Sequence, residues 1–275
     1  MAYSSPPIPS TEVDAALALL RQVYPPHLVD PETPSSTPRT KPFVTLTYAQ
    51  SLDGKIAGKG GKQIRLSGAE SMNLTHRLRE LHDSILVGIG TVLNDDPRLT
   101  ARIPDLLPLA SQPSPVILDS ELRSPATCKL VKNAQTGLSK PVTILHASTD
   151  SRRNQTDAFS GNGSQLARRE RLVDQGVTCV EVERDDSGHL DLRQALSQPN
   201  VFGRSLMVEG GASVITSFLA SGLVDLFIVT VAPVLVGDQG ISVTQPGVDL
   251  PELEHGKTQV FGRDTIFVCR PKHKR

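Results

Sequence analysis

The sequence contains no tryptophan and only three cysteines, and aromatic residues make up 4% of its 275 positions. Cys128, Cys179 and Cys269 lie far apart and form no C-x-x-C pair, which argues against a zinc site and against a disulfide-dependent mini-protein. The seven histidines show no metal-ligand spacing, so we predict no metal site. A chain of this length is expected to bury enough apolar surface for a core without cross-links.

An excess of charge of one sign is also missing, because 29 Lys and Arg residues balance 29 Asp and Glu residues. A neutral chain lacks the long-range field that gathers non-specific nucleic-acid-binding proteins on phosphate backbones, and it offers few aromatic rings for base stacking. We therefore predict no nucleic-acid partner. Any anionic ligand must be bound by a local cluster of groups.

Long apolar runs are absent as well. No run approaches the roughly 20 residues of a membrane-spanning helix, and residues 1–10 have neither the basic nor the apolar part of a secretory signal. Together with the widely spaced cysteines, these features predict a cytoplasmic protein that has no membrane partner.

The first forty residues differ in composition from the rest of the chain. Apolar residues recur at helical spacing from Val13 to Val23, whereas residues 25–42 are rich in proline, serine and threonine. We predict that residues 1–40 form one helix and a proline-rich linker, and that residues 41–275 form the main domain.

Short apolar runs alternate with helical patterns through the main domain. The runs predict strands at residues 43–49, 84–87, 116–119, 142–146, 177–182, 206–209 and 226–231. The helical patterns predict helices at residues 69–81, 165–175, 192–197 and 212–221. Because the strands are apolar on both faces, we predict an α/β fold whose mixed, mostly parallel sheet carries helices on both faces. Residues 258–261 and 265–269 predict a C-terminal antiparallel hairpin around Gly262-Arg263-Asp264, and polar residues 150–163 an insertion.

A glycine turn between a strand and a helix stands at Glu209-Gly210-Gly211-Ala212. Glycines allow a ligand to approach the backbone, and the free N–H groups of a helix N-terminus favour a phosphate. The alternative is an ordinary tight turn. Glu209 would serve the substrate, since a carboxylate beside an anion site is otherwise unfavourable; its alternative is a solvated strand end.

A second glycine turn contains Gly88 and Gly90, but Leu93 stands where a dinucleotide fingerprint requires a third glycine. Two such turns in one domain nevertheless favour a dinucleotide ligand. After the next strand, Asp119 would favour NAD, whereas Ser120 and Arg123 could bind the 2′-phosphate of NADP. The residues alone leave this choice open.

Three further features have both a structural and a functional interpretation. Asp53-Gly54 fits a turn, with Asp53 near a reacting centre as the alternative. Ser67 and Glu70 have the spacing of a capping box at a helix start. Arg79 and Arg102 could converge on a phosphate or carboxylate, or could be separate surface arginines.

Four stretches occur in the order found in one enzyme family. They are S-L-D-G-K-I-A at 51–57; L-R at 78–79 with I-L-V-G at 85–88; G-T-V at 90–92 with D-D-P-R-L-T at 95–100; and E-G-G-A at 209–212 with L-V-D at 223–225 and A-P at 232–233. Over about residues 41–269 the chain resembles the pyrimidine reductases of riboflavin biosynthesis, in the dihydrofolate-reductase-like superfamily.

The resemblance implies a homodimeric oxidoreductase that uses NADPH. Its reaction would reduce the ribosylamino side chain of 2,5-diamino-6-ribosylamino-4(3H)-pyrimidinone 5′-phosphate to the ribitylamino form. Bacterial relatives often carry a zinc deaminase domain in front, but residues 1–40 contain neither H-x-E nor P-C-x-x-C. Reduction of the deaminated pyrimidine or of a pterin, and a non-catalytic nucleotide-binding module, stay open as alternatives.

The resemblance also implies which residues form the site. The implied cofactor contacts are Ala49, Thr91, Asp95, Ser120, Gly210, Gly211, Ala212, Ser213 and Val214. The implied substrate contacts are Arg79, Leu99, Arg102 and Glu209, with Lys62 or Gln63. The two arginines would then meet a 5′-phosphate. The sequence departs from the bacterial Ser-x-Trp-Ile-Thr pattern at residues 63–67, which read Q-I-R-L-S.

We predict catalytic roles for two residues. Glu209 is expected to orient the ribose hydroxyls or the pyrimidine amines of the substrate. Asp53 is expected to help form a lid or to relay a proton, a step that water could also perform.

Overall fold

The computed structural model describes residues 10–30, 32–34, 40–103, 109–148, 164–244 and 247–272, with side chains from residue 15 onward. The predicted insertion at residues 150–163 lies outside the described residues. The helices are α1 Ser10–Val23, α2 Pro26–Val29, α3 Ala69–Leu81, α4 Ile89–Asp95, α5 Lys129–Gln135, α6 Gln165–Asp174, α7 Leu192–Leu196 and α8 Ala212–Ser221.

The strands form one large sheet and one small one. They are β1 Phe43–Ser51, β2 Lys55–Ala57, β3 Ser84–Gly88, β4 Ser114–Leu118, β5 Thr143–Ala147, β6 Thr178–Val182, β7 Ser205–Glu209, β8 Leu226–Ala232, β9 Ile241–Ser242, β10 Leu253–Phe261 and β11 Asp264–Pro271. The large sheet has the order β10-β11-β8-β1-β7-β3-β4-β5-β6, and β2 pairs with β9. Pairs within the run from β8 to β6 are parallel, whereas β11 is antiparallel to both of its neighbours. The predicted mixed sheet with a C-terminal hairpin is therefore confirmed.

The central strands are buried on both faces. In β3, Ile85 and Val87 belong to one hydrophobic cluster and Leu86 to the other, and all three are at most 1% exposed. Alternate side chains of a strand point to opposite faces of a sheet, so each cluster covers one face. This two-sided burial explains why the sequence shows continuous apolar runs here.

The N-terminal segment packs onto this core. Leu19 and Leu20 of α1 are buried, and α1 lies against α3. The Tyr24 hydroxyl hydrogen-bonds to Oγ1 of Thr45 in β1 at 2.9 Å. The linker predicted for residues 25–42 is wrong at residues 26–29, because these form α2 and bury Leu28.

The start of α3 differs from the predicted capping box. The N-cap residue is Gly68, which has no side chain to accept a helix N–H, and Ser67 lies outside the helix. The C-terminal hairpin holds this helix start instead: Asp264 Oδ2 accepts the Gly68 N–H at 2.7 Å and also a hydrogen bond from the Ser71 hydroxyl. Asp264 belongs to β11, so the hairpin turn consists of two residues.

Within the described ranges, no helix combines the length and apolar character that a membrane crossing requires. The same ranges hold no group of three or more His, Cys, Asp or Glu side chains arranged around a possible metal ion.

Candidate active site

A cleft of about 2020 Å³ lies at the carboxyl ends of the parallel strands. Residues at the ends of β1, β3, β4 and β7 meet there because parallel strands direct these ends to one edge. Fourteen of the site residues implied by the family resemblance line it: Ala49, Gln63, Arg79, Thr91, Asp95, Leu99, Arg102, Ser120, Glu209, Gly210, Gly211, Ala212, Ser213 and Val214. Asp53 and Lys62 are not among the lining residues.

Arg79 of α3 and Glu209 at the end of β7 form a two-point ion pair. Arg79 Nε lies 2.8 Å from Glu209 Oε1, and Nη2 lies 2.7 Å from Oε2. Their side chains are 10% and 20% exposed. Burial acts to lower the pKa of Arg79, but the Glu209 carboxylate outweighs it and raises this pKa above its usual value.

This pair changes the role expected of Arg79. Its fork is occupied by Glu209, and Nη1 donates to the Thr100 carbonyl at 3.1 Å. We predicted that Arg79 and Arg102 would converge on a phosphate. In the structure, Arg79 binds and orients Glu209 instead. Arg102, in contrast, has an exposed position on the cleft.

The surroundings of Arg102 favour an anion. Burial and then the positive charges of Arg79 and Arg98 lower the pKa of Arg102, and Glu209 opposes this shift. An arginine stays protonated at neutral pH even so. The local positive charge that disfavours a further cation would stabilise a phosphate.

In the two glycine turns, Gly88 and Gly210 are needed for close packing, a role that the sequence did not indicate. A Cβ on Gly88 would lie 2.5 Å from Val214 Cγ2, and a Cβ on Gly210 would lie 2.7 Å from Val214 Cβ. These glycines therefore let α8 approach β3 and β7 closely. Gly90 has no atom within 4 Å of such a Cβ, and Gly211 meets only the Thr91 hydroxyl at an ordinary 3.7 Å.

The N-terminus of α8 faces the cleft. Gly211 is the N-cap residue, and Ile215 N donates to Gly211 O at 3.1 Å. Helix geometry leaves the preceding N–H groups, those of residues 212–214, without intrahelical partners. Since these three residues line the cleft, their N–H groups and the positive end of the helix dipole form a place for a phosphate.

The end of β4 bears on the choice between NAD and NADP. Asp119 is fully buried, and its Oδ2 accepts from the Ser124 N–H at 2.7 Å and from the Ser124 hydroxyl at 2.8 Å. Asp119 is not among the residues that line the cleft. Ser120 and Arg123 line the cleft instead, and the Arg123 side chain is 56% exposed.

Asp53 does not have the properties of a proton relay. Its carboxylate accepts hydrogen bonds from the Ser51 hydroxyl at 2.5 Å and from the Gly237 N–H at 2.7 Å. These bonds lower its pKa to about 2, so the group is ionised at neutral pH and has no proton to give. It holds the loop after β1 against the loop after β8, and that first loop leads into β2, where Ile56 and Ala57 line the cleft.

Some lining residues were missed by the sequence reasoning. Thr47 of β1 lies beside Glu209 in the sheet register, and strand alternation could have identified it. Residues 187–193, around the start of α7, also line the cleft, although no motif marks them. Arg184, which precedes them, forms an ion pair with Glu121 that joins this segment to the loop after β4.

Comparison with known proteins adds to this geometry. A family model described as the RibD C-terminal domain matches residues 42–267. The protein of Debaryomyces hansenii named 2,5-diamino-6-ribosylamino-4(3H)-pyrimidinone 5′-phosphate reductase is 36% identical over 217 residues, which cover 75% of this chain and 81% of the relative. The protein with the same name in Methanothermobacter thermautotrophicus is 32% identical over 233 residues, which cover 82% of this chain and 96% of the relative.

Solved structures show the same fold. RibD of Acinetobacter baumannii superposes with a TM-score of 0.66 at 25% identity, covering 85% of this chain and 58% of that one. The riboflavin biosynthesis reductase Rib7 of Saccharomyces cerevisiae superposes with a TM-score of 0.67 at 24% identity, covering 94% of this chain and 100% of that one. Since the family model matches most of the chain, this protein belongs to the RibD C-terminal domain family.

Proposed function

We propose that this protein is an NADPH-dependent reductase that converts the ribosylamino side chain of 2,5-diamino-6-ribosylamino-4(3H)-pyrimidinone 5′-phosphate to the ribitylamino form. The observation that supports this most strongly is that the N-terminus of α8, the Arg79–Glu209 pair and Arg102 all line one cleft. The names of the yeast and archaeal relatives support this reaction. Residues 41–275 would form the reductase domain, and residues 1–40 an N-terminal extension.

The residues of the cleft fit a dinucleotide phosphate. The free N–H groups at the start of α8 suit the pyrophosphate, and the open space beside Gly90 leaves room for it. Ser120 and Arg123 line the cleft and suit a 2′-phosphate, whereas Asp119, the candidate acceptor for the ribose hydroxyls of NAD, is buried outside the cleft lining. When bound, NADPH supplies the hydride.

The other end of the cleft fits the substrate. Arg102 would bind the 5′-phosphate, for which an exposed guanidinium beside other cations is suited. Glu209 would accept hydrogen bonds from ribose hydroxyls or pyrimidine amines, and Arg79 fixes its orientation.

The chemical step needs a ring-opened sugar. When the ribosylamine C1′–O4′ bond breaks, the amine nitrogen loses its proton, O4′ gains one, and C1′ becomes an imine carbon. Hydride addition at C1′ and protonation of the imine nitrogen then give the ribitylamine. Asp53 supplies neither proton, because it is already ionised and lies outside the cleft. We assign these proton transfers to water, and the protein holds C1′ in place for the hydride.

We also propose that the protein is a cytoplasmic homodimer. The edge strand β10 and its neighbour β11 expose Val260 by 66% and Phe267 by 38%, and their register places both side chains on one face. A second copy covering this face would bury apolar surface that water now contacts. Light scattering should give the mass of two chains, and Phe267→Lys should shift it toward one chain.

A turnover assay tests the proposed reaction. Loss of dihydronicotinamide absorbance is followed with the diamino pyrimidinone phosphate and, in parallel, with its deaminated counterpart. Oxidation with the diamino compound supports the proposal. Oxidation with the deaminated compound alone would retain the cofactor and reverse the substrate preference. Cofactor binding without any oxidation would favour a non-catalytic nucleotide-binding module.

A further inference from the structure

Three side chains form hydrogen bonds with the backbone of the short segment at residues 99–102. Gln112 binds both backbone groups of Ala101: its Oε1 accepts the N–H at 2.8 Å, and its Nε2 donates to the carbonyl at 3.0 Å. His76 Nδ1 accepts the N–H of Arg102 at 3.3 Å. The third side chain is Arg79, through the carbonyl of residue 100.

The segment needs this support because its backbone is strained. Leu99 has φ of +55°, a left-handed conformation that a leucine side chain rarely adopts. Such a residue persists only when its surroundings hold it there, and Leu99 is 3% exposed. The result of the turn is that the side chain of Arg102 projects beside the Arg79–Glu209 pair, where the two arginines repel each other electrostatically.

His76 is suited to accept the Arg102 N–H throughout the neutral pH range. It is 7% exposed, and burial followed by the charges of Arg79 and Arg102 lowers its pKa to about 3. A protonated imidazole would donate from both nitrogens and could not accept here. The neutral ring therefore keeps Nδ1 free of hydrogen and carries its proton on Nε2.

Gln112 has a similar buried position, with an exposure of 7%. Its carboxamide presents one acceptor and one donor side by side, which matches the N–H and carbonyl of one residue. Neither Gln112 nor His76 is among the residues that line the cleft. Their hydrogen bonds act on the cleft through the backbone of the segment that carries Arg102.

We propose that Gln112 and His76 are positioning residues that hold Arg102 in place for the substrate's 5′-phosphate. The inference rests on the proposed function, which assigns that phosphate to Arg102. Loss of either side chain should let the segment relax, so that Arg102 samples orientations in which it misses the phosphate. The effect should appear in substrate binding rather than in the cofactor site or the hydride step.

Pairs of variants distinguish a loss of Arg102 positioning from a general loss of folding. Gln112→Leu and His76→Leu remove the hydrogen bonds at similar volume, whereas His76→Asn places an amide oxygen near the position of Nδ1. Gln135→Leu is a matched control, because Gln135 is exposed on α5 and bonds to Gln175 on a different part of the surface. Calorimetry measures the Kd of the phosphorylated pyrimidinone with NADP⁺ bound, and the Kd of its dephosphorylated form.

We expect Gln112→Leu and His76→Leu to raise the Kd and KM of the phosphorylated compound about tenfold while kcat stays within about twofold. His76→Asn should recover most of the loss, and Gln135→Leu should show none. The dephosphorylated compound should bind all forms equally weakly. In an Arg102→Met background, Gln112→Leu should add less than about twofold, because both changes remove one interaction.

The proposal is overturned if Gln112→Leu leaves the Kd unchanged, lowers kcat and NADPH affinity as much as substrate affinity, or acts independently of Arg102→Met. It is also overturned if Arg102→Met does not weaken binding of the phosphorylated compound. In each of these cases the reductase function stands as long as the unaltered protein oxidises NADPH with the substrate. Failure of that oxidation would contradict the function itself.

Discussion

Arg79 and Glu209, which are 130 residues apart in the chain, meet in a two-point ion pair that joins α3 to the end of β7. The pair fixes a carboxylate at the centre of the cleft. It also connects to the segment that carries Arg102, because Arg79 donates to the carbonyl of Thr100. One arginine therefore organises both the carboxylate and the cation proposed to bind the substrate.

The first prediction concerns Glu209. Glu209→Gln keeps the shape of the side chain but removes the charge, so it should lower kcat/KM for the pyrimidinone phosphate at least about tenfold. The Kd for NADPH should stay within about twofold. Steady-state kinetics and fluorescence of bound NADPH measure the two effects, and full kcat/KM in the variant would refute the role of Glu209.

Breaking the pair should also affect stability. Glu209→Ala leaves the Arg79 guanidinium, whose side chain is 10% exposed, without its partner, which should lower the free energy of unfolding by about 2–3 kcal/mol. Urea denaturation measures the change. The double variant Arg79→Met with Glu209→Ala should recover part of the loss, and strictly additive effects would show that the two charges are not coupled.

The second prediction concerns Gly210. Gly210→Ala would place its Cβ 2.7 Å from the Cβ of Val214, so the free energy of unfolding should fall by about 2–3 kcal/mol. Gly90→Ala is the matched control, because a Cβ there meets nothing within 4 Å. Val214→Ala keeps its Cβ and, of these close contacts, removes only that of Cγ1, which would lie 2.8 Å from the added atom, so it should relieve only part of the strain of Gly210→Ala. Equal stability of Gly210→Ala and Gly90→Ala would contradict the packing role.

The third prediction concerns cofactor choice. Arg123→Met should raise the Kd for NADPH about tenfold and leave the Kd for NADH nearly unchanged, because only NADPH carries the 2′-phosphate. Calorimetry with 2′,5′-ADP and with 5′-AMP isolates that phosphate from the rest of the cofactor. Equal loss for both ligands would place the 2′-phosphate elsewhere.

The fourth prediction concerns pH and Asp53. The pKa of this group is lowered from 3.8 to about 2 in the folded protein, so its stabilising effect is fully present above about pH 4 and is lost as the pH falls toward 2. Asp53→Asn should therefore flatten the dependence of stability on pH over this acidic range. The pH profile of kcat near neutrality should be unchanged, and a shifted profile there would restore Asp53 as a proton carrier.

Local sequence patterns were sufficient for the sheet. Strands such as β3 are apolar on both faces because they are covered on both faces, and this property is visible in a few consecutive residues. The glycine turns were also located correctly. Their packing reason was not visible, because it depends on Val214 lying between Gly88 and Gly210.

What the sequence could not show depends on contacts between distant residues. The start of α3 is held by Asp264, which is 196 residues from Gly68. Asp119 is held in its buried position by hydrogen bonds from Ser124. The presence of a carboxylate at the end of a strand does not predict these bonds. The same holds for Gln112, since its contacts with the backbone of Ala101 follow from a loop conformation that no motif encodes.

The most direct test of the account is isotope transfer. NADPH carrying deuterium at the transferable C4 position is incubated with the protein and the diamino ribosylamino-pyrimidinone phosphate, and the product is analysed by mass spectrometry and NMR. The product is expected to carry one deuterium, at C1′ of the ribityl chain. A product without deuterium at C1′, or no product when both ligands are shown to bind, would contradict it.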